Sequence, residues 1–365
     1  MTLSIFSYTQ AEYIQEIQQL LGKGAQHAAK IYSDWFKKGK ADPDAEWIEP
    51  QAKELVKKII GATDFSLPEI SEVKEEGSIC KFLLKYIDGL ESESVVIPMK
   101  FGYTLCVSSQ VGCKMGCAFC ETGKMGLIRH LQAHEICAQV FAAKFLFNVP
   151  IRNLVFMGMG EPLDNYDEVM RAIQVLSCEA GFGISMSRIT VSTSGKIPEM
   201  YRFLKEADPA LRLAISLNAP NDEVRSKLMP VNNSWDLSEL REFMRLYGEH
   251  PKRSILIEYV LIEGVNDSEA HALEVANYLE GLHVKVNLIP YNNQSKGRLK
   301  PPTEESMNRF RAVLQASGFQ VLLRTSKGKS IMAACGQLGN RNLRKMEKKL
   351  GAKSPLSVLC EMSTV

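Results

Sequence analysis

No stretch of this sequence approaches the roughly 18 to 20 consecutive apolar residues that a membrane helix needs, so no membrane partner is expected. The opening MTLSIFSYTQAEY lacks a basic region followed by an apolar run and a small-residue cleavage site, and no secretory leader is expected from it. There is no internal repeat and no low-complexity tract. Net charge is also small: 44 Lys and Arg against 42 Asp and Glu leave +2, too little to argue for nucleic acid, so an RNA partner must be sought in local patches or in resemblance. What remains is an ordinary globular composition, 45% hydrophobic and 24% charged. Its 365 residues are enough for a catalytic domain of about 200 residues or more and a smaller unit beside it.

Cysteine is not scarce. Nine are present, and three of them stand together at Cys113, Cys117 and Cys120, with Phe119 just before the last. Clustering of this kind in a long chain argues for metal or redox chemistry in a reducing cytoplasm, not for a disulfide scaffold. Three thiolates hold three irons of a 4Fe-4S cluster and leave the fourth open to a substrate or cofactor. Cys-x3-Cys-x2-Cys resembles the signature of the radical S-adenosylmethionine (radical SAM) superfamily, in which the open iron chelates the amino and carboxylate groups of S-adenosylmethionine. Half of a zinc site is the alternative; it needs a fourth ligand, and His130 and His134 lie just downstream.

Ile14, Ile17, Leu20 and Leu21 recur at helical spacing, as do Ala28, Ile31, Trp35 and Phe36, so residues 10–58 read as helices of a small domain. Ser66 and Pro68 break the pattern. Strand-like runs follow at 82–87 and 95–98. Beyond Cys106, apolar runs at 153–157, 187–192, 212–217, 255–261, 285–289 and 320–324 alternate with stretches long enough for crossover helices, which predicts a parallel βα sheet. The expected fold is α/β: the incomplete (β/α)6 barrel of radical SAM enzymes with a small N-terminal helical domain, reactive loops lying at the C-terminal strand ends. The expected divisions are a helical accessory domain at 1–68, a strand-rich linker carrying Glu93 at 69–105, the radical SAM core at 106–340 and a basic tail at 341–365. Within that tail, residues 341–353 carry six Lys and Arg against Glu347, either a solvated helix or a phosphate-contacting one.

Several longer stretches resemble, closely and over nearly the whole chain, the adenine-methylating radical SAM family that contains RlmN and Cfr. They are HAAKIYSDWFKKG, ESESVVIPMKFGYTLCVSSQVGCKMGCAFCETGKMGLIRHL, MGMGEPLDN, RITVSTSGKIP, ISLNAPNDE, IEYVLIEGVNDS, NLIPYN and AACGQL. The resemblance implies an RNA methyltransferase acting on an adenosine ring carbon of 23S rRNA and possibly tRNA. Cys335 would carry the one-carbon unit, Glu93 would remove the ring proton, and Cys106 would release the product by forming a disulfide with Cys335, a step that asks for thiolate access. Cys80, Cys137, Cys178 and Cys360 are left with a packing role.

The resemblance also implies the cofactor contacts: Gly160 and Glu161, Ser192, the Ser216, Leu217 and Asn218 run, and Asn292. Glycine at 158 and 160 is expected to let the backbone approach a ligand's ammonium group. Three positions depart from the family pattern: Asn218 stands for a histidine, and Ser330 and Met332 for aspartates. Losing two carboxylates beside Cys335 is expected to affect substrate choice or the Cys335 thiol. MGMGEP with Pro162 and the SLNAPND stretch sit on the RlmN side, favouring carbon 2; carbon 8, as in Cfr, is the alternative, and a zinc-stabilised RNA-binding protein without catalysis is the non-enzymatic one. Flavodoxin or ferredoxin as electron donor and a monomeric state complete the expectation.

Overall fold

The computed structural model describes residues 2–293, 298–324, 328 and 330–339. The basic tail and Cys360 lie outside the described residues. Helices Gln10–Leu21, Ala25–Lys38 and Lys53–Gly61 form the N-terminal helical unit. Its first helix opens on a capping box, with the Thr9 amide donating to Glu12 Oε2 at 2.8 Å. The same carboxylate receives both Arg171 Nη atoms, at 2.7 and 2.8 Å, from the helix Tyr166–Ser177. Phe6 and Trp35 pack on Phe141, with ring centroids 5.3 and 4.6 Å apart, so this unit shares one apolar core with the rest of the chain.

Ten strands form one sheet. Three of them, Glu69–Glu76, Ile79–Lys85 and Glu91–Met99, run antiparallel and pass into Gly102–Cys106. From there the neighbours are parallel: Gly102–Cys106, Ile151–Phe156, Ile189–Thr193, Arg212–Ser216, Ile255–Leu261, Val284–Pro290 and Gln320–Leu323. All six strands expected beyond Cys106 are present within two residues of their expected bounds. The first parallel strand was not among them: its five residues, GYTLC, are too short for a clear period, and the first four fall within the expected linker. Alternate residues of four parallel strands, Thr104 and Cys106, Asn153 and Val155, Leu256 and Glu258, and Asn287 and Ile289, face a common cavity of about 560 Å³, which Thr190, Arg212, Leu322 and Leu323 of the other three also border. Ile79 near one edge of the sheet and Leu322 at the other border that same cavity, so the sheet is curled into a partial barrel.

The Glu12–Arg171 pair docks the helical unit on the barrel. Arg171 holds the Glu12 carboxyl down at about 2, so its stabilisation is complete above the ordinary glutamate range and is lost as pH falls toward that value. Because both side chains are partly exposed, Arg171→Met is expected to cost only about 1 kcal/mol at pH 7. Urea unfolding of wild type and variant should give curves that converge below pH 3; a gap unchanged between pH 7 and pH 3 would mean that the ion pair contributes nothing.

Candidate active site

The cysteine loop begins where Gln110–Cys113 pairs antiparallel with Gly126–His130. A Cβ on Gly112, at φ +78°, would lie 2.0 Å from the Gly126 carbonyl oxygen, so the hairpin closes only over glycine. The Cys120 amide donates to the Cys117 carbonyl at 3.1 Å, and Cys120 precedes the short helix Glu121–Met125. Burial and the neighbouring thiols push Cys117 well up, and burial does the same to Cys113 and Cys120. Among the described residues no three His, Cys, Asp or Glu side chains form a group able to hold a single metal ion, and His130 is engaged by Gln110 Nε2 at 3.0 Å. A 4Fe-4S cluster makes a different demand: each thiolate takes its own iron, and three reduced thiols on one short loop are a donor set that fits it.

The strand ends around this loop are tied together by buried polar groups. Glu161 Oε2 accepts from the Ser194 amide at 2.8 Å and its Oε1 from the Leu163 amide at 3.2 Å, while burial raises its carboxyl. The space a Cβ would need at Gly160 is occupied by Gln110 Cβ, 2.6 Å away, and at Gly158 by the Val107 carbonyl oxygen, also 2.6 Å away. These glycines therefore let the cysteine loop lie against the strand end, a reason within the chain that the sequence reading, which looked to a ligand's ammonium group, did not give. Arg225, fully buried, donates to the carbonyls of Ser194, Leu217 and Ser216 at 2.7, 3.2 and 3.2 Å and to Asn232 Oδ1 at 2.9 Å. The next turn reaches the cysteine loop, where the Ala118 amide donates to the Leu228 carbonyl at 2.9 Å.

Asn218, expected as a cofactor contact, is 1% exposed, and its side chain is used by the fold. Its Oδ1 accepts from the Val260 amide at 2.8 Å, and its φ of +56° is one that asparagine tolerates better than most residues. Asn292 donates to the Cys335 carbonyl at 3.1 Å and keeps a buried Oδ1 without a partner. An orphaned buried acceptor just beyond a strand end is what a polar cofactor would satisfy.

Cys106, at the end of the first parallel strand, and Cys335, beyond the last, line the same cavity, and both are free thiols. Burial and the nearby Cys335 push the Cys106 thiol up to about 12, against the opposing pull of Arg324. Arg324 is itself raised by Cys335, Glu258 and Cys106. Glu93 is 4% exposed, its Oε1 accepting from the Gly339 amide at 2.9 Å; Lys81 Nζ lies 3.1 Å from Oε2. The departures at 330 and 332 do not leave the segment without a carboxylate, because Glu76 receives the Ser330 amide at 2.9 Å and its hydroxyl. Sequence reasoning missed Lys81, Arg225, Glu258 and Arg324. Only Glu258, a lone acid inside the apolar run ILIEYVL, carried a signal.

A model of the radical SAM superfamily matches residues 107–276. The probable dual-specificity RNA methyltransferase RlmN 1 of Protochlamydia amoebophila is 49% identical over 94% of this chain and 96% of its own length. The dual-specificity RNA methyltransferase RlmN of Geobacter sulfurreducens is 41% identical over 89% and 90%. Among solved structures, a radical SAM methyltransferase from Sphaerobacter thermophilus superposes with a TM-score of 0.85 at 38% identity, covering 92% of this chain and 98% of that one.

The buried Cys106 thiol sets a pH signature. Alkylation of Cys106 by iodoacetamide in the RNA-free enzyme, followed by peptide mass spectrometry, should rise about tenfold per pH unit between pH 8 and 10 without levelling off. A plateau by pH 9 would show an ordinary, solvated thiol.

Proposed function

The chain belongs to the RlmN family of radical SAM RNA methyltransferases, and from that premise we propose that it methylates carbon 2 of an adenosine in 23S rRNA and in tRNA, through a cysteine-borne one-carbon unit. The observation that carries this reading is the meeting of Cys106 and Cys335 at one cavity. The family uses a 4Fe-4S cluster and S-adenosylmethionine, which together supply the one-electron chemistry needed to reach an adenine carbon that polar methyl transfer does not. Cys113, Cys117 and Cys120 are the residues that would hold the cluster. Gly160, Glu161, Ser192, Ser216, Leu217, Asn218 and Asn292 would border S-adenosylmethionine.

Cys335 holds the one-carbon unit as a thioether. Glu93 accepts the proton lost from the adenine ring carbon. The Cys106 thiolate then attacks the Cys335 sulfur: a sulfur–sulfur bond forms, the carbon–sulfur bond to the product breaks with its electron pair leaving on carbon, and that carbon takes a proton to become the methyl group. Arg324 lines the cavity beside both sulfurs, where a fixed cation favours a thiolate. Pro162 in MGMGEP and the SLNAPND stretch favour carbon 2, as do relatives bearing the RlmN name. The working divisions are the helical unit at 1–68, the strands at 69–105, the core at 106–340 and the tail at 341–365. The helical unit, in which acidic residues outnumber basic ones, suits positioning of RNA by shape. A cytoplasmic monomer reduced by flavodoxin or ferredoxin completes the proposal.

Cys106→Ala should stop with RNA still attached, purifying with nuclease-resistant fragments linked through Cys335, whereas Cys335→Ala should carry none. Normal turnover by Cys106→Ala would refute the release role. Mass spectrometry of rRNA and tRNA from a strain lacking the gene should show loss of 2-methyladenosine; loss of 8-methyladenosine instead would assign the Cfr-type reaction.

A further inference from the structure

The segment that carries Cys335 is held from one side by the antiparallel hairpin Glu69–Glu76 and Ile79–Lys85 with its neighbour Glu91–Met99. Glu76 receives the amides of Gly328 and Ser330 at 3.1 and 2.9 Å. Lys81 Nζ donates to the Met332 carbonyl at 3.2 Å and lies 3.1 Å from Glu93 Oε2, and Glu93 Oε1 takes the Gly339 amide at 2.9 Å. Hairpin contacts therefore bracket Cys335 on both sides in sequence. Lys81 and Glu93 are 5% and 4% exposed, so each would be a costly unpaired charge without the other.

Met332 shows why such a hold is needed. Its φ is +54°, a left-handed conformation that costs a residue with a bulky side chain roughly 1–2 kcal/mol and that aspartate or asparagine adopts more readily. The Lys81 bond to the Met332 carbonyl secures the residue in that conformation. At 330, a serine donates to Glu76 where a second carboxylate would repel it, so the acid belongs to the hairpin and the donor to the segment.

We propose that this hairpin sets the position of the Cys335 thiol, with Lys81 as the positioning residue that joins the segment to Glu93 and Glu76 as the second anchor. The inference rests on the reading of Cys335 as carrier of the one-carbon unit. Lys81 touches neither substrate nor cofactor on this account; it acts through the backbone of residue 332 and the carboxylate of residue 93.

The test uses the cluster-loaded holoenzyme, in which the cluster ligands are protected, and reads the iodoacetamide alkylation rate of Cys335 by peptide mass spectrometry. Lys81→Met and Glu76→Ala should each raise that rate about tenfold, the scale of one lost charge-assisted hydrogen bond, and lower the fraction of Cys335 purified with a methyl group. Lys81→Arg, which can still bridge both partners, should restore wild-type values and so separate positioning from loss of fold; Glu76 is at the surface and its removal leaves the core intact. Alkylation within twofold of wild type in both Lys81→Met and Glu76→Ala would overturn the proposal. A wild-type enzyme whose Cys335 is never methylated would instead sink the carrier reading, leaving the hairpin's hold to be judged by alkylation alone.

Discussion

Closure of the sheet onto a single cavity is the constraint on which the site depends. Cys106 ends the first of the parallel strands, and Cys335 lies beyond the last in a segment that Glu76 and Lys81 of the antiparallel hairpin hold. The curled sheet and that segment bring the two sulfurs to one cavity, where Ile79 and Val95 are buried in the walls and burial penalises every uncompensated charge. A thiol in that setting stays protonated until something offsets the cost, and Arg324 is the cation placed to do so. Control of thiol reactivity is thus a property of the barrel interior and not of the cysteines alone.

Around this cavity, precision comes from backbone groups at strand ends held by buried side chains. Arg225 gathers the carbonyls of Ser194, Ser216 and Leu217, Glu161 takes the amides of Ser194 and Leu163, and Asn218 and Asn266 tie the turn after Arg212–Ser216 to the strand Ile255–Leu261 and the turn after it. Each of these groups would be costly if left without its partners, so the loops they fix have few alternative arrangements. The same device on the opposite side, Lys81 with Glu93 and Glu76, holds the Cys335 segment. Cofactor loops and carrier segment meet where the Glu121 amide donates to the Gly336 carbonyl at 2.8 Å and Thr122 Oγ1 to that of Leu338 at 2.6 Å.

Much of this was legible in the sequence. The strands beyond Cys106 declared themselves as apolar runs between helical stretches, and the cysteine spacing with its flanking stretches pointed to the chemistry and the family. The short strand Gly102–Cys106 was hidden because five residues carry too little pattern. Lys81 in ICKFLLK and Arg225 in DEVRSKL look like ordinary solvent-facing charges, and only the fold shows that both are buried among acceptors. Asn218 and Met332 looked like departures in charge or ligand type, yet both have left-handed backbone, a property no local pattern announced. The compensation of Ser330 by Glu76 links positions far apart in sequence, beyond the reach of any motif.

The most direct test of the shared cavity is thiol proximity itself. Anaerobic treatment of the RNA-free holoenzyme with a stoichiometric amount of diamide, followed by peptide mapping, should yield a disulfide joining Cys106 to Cys335 in preference to any other pair. Recovery of Cys335 joined to Cys80 or Cys178, or of Cys106 still as a free thiol after Cys335 has been oxidised, would contradict an architecture in which the two cysteines line one cavity.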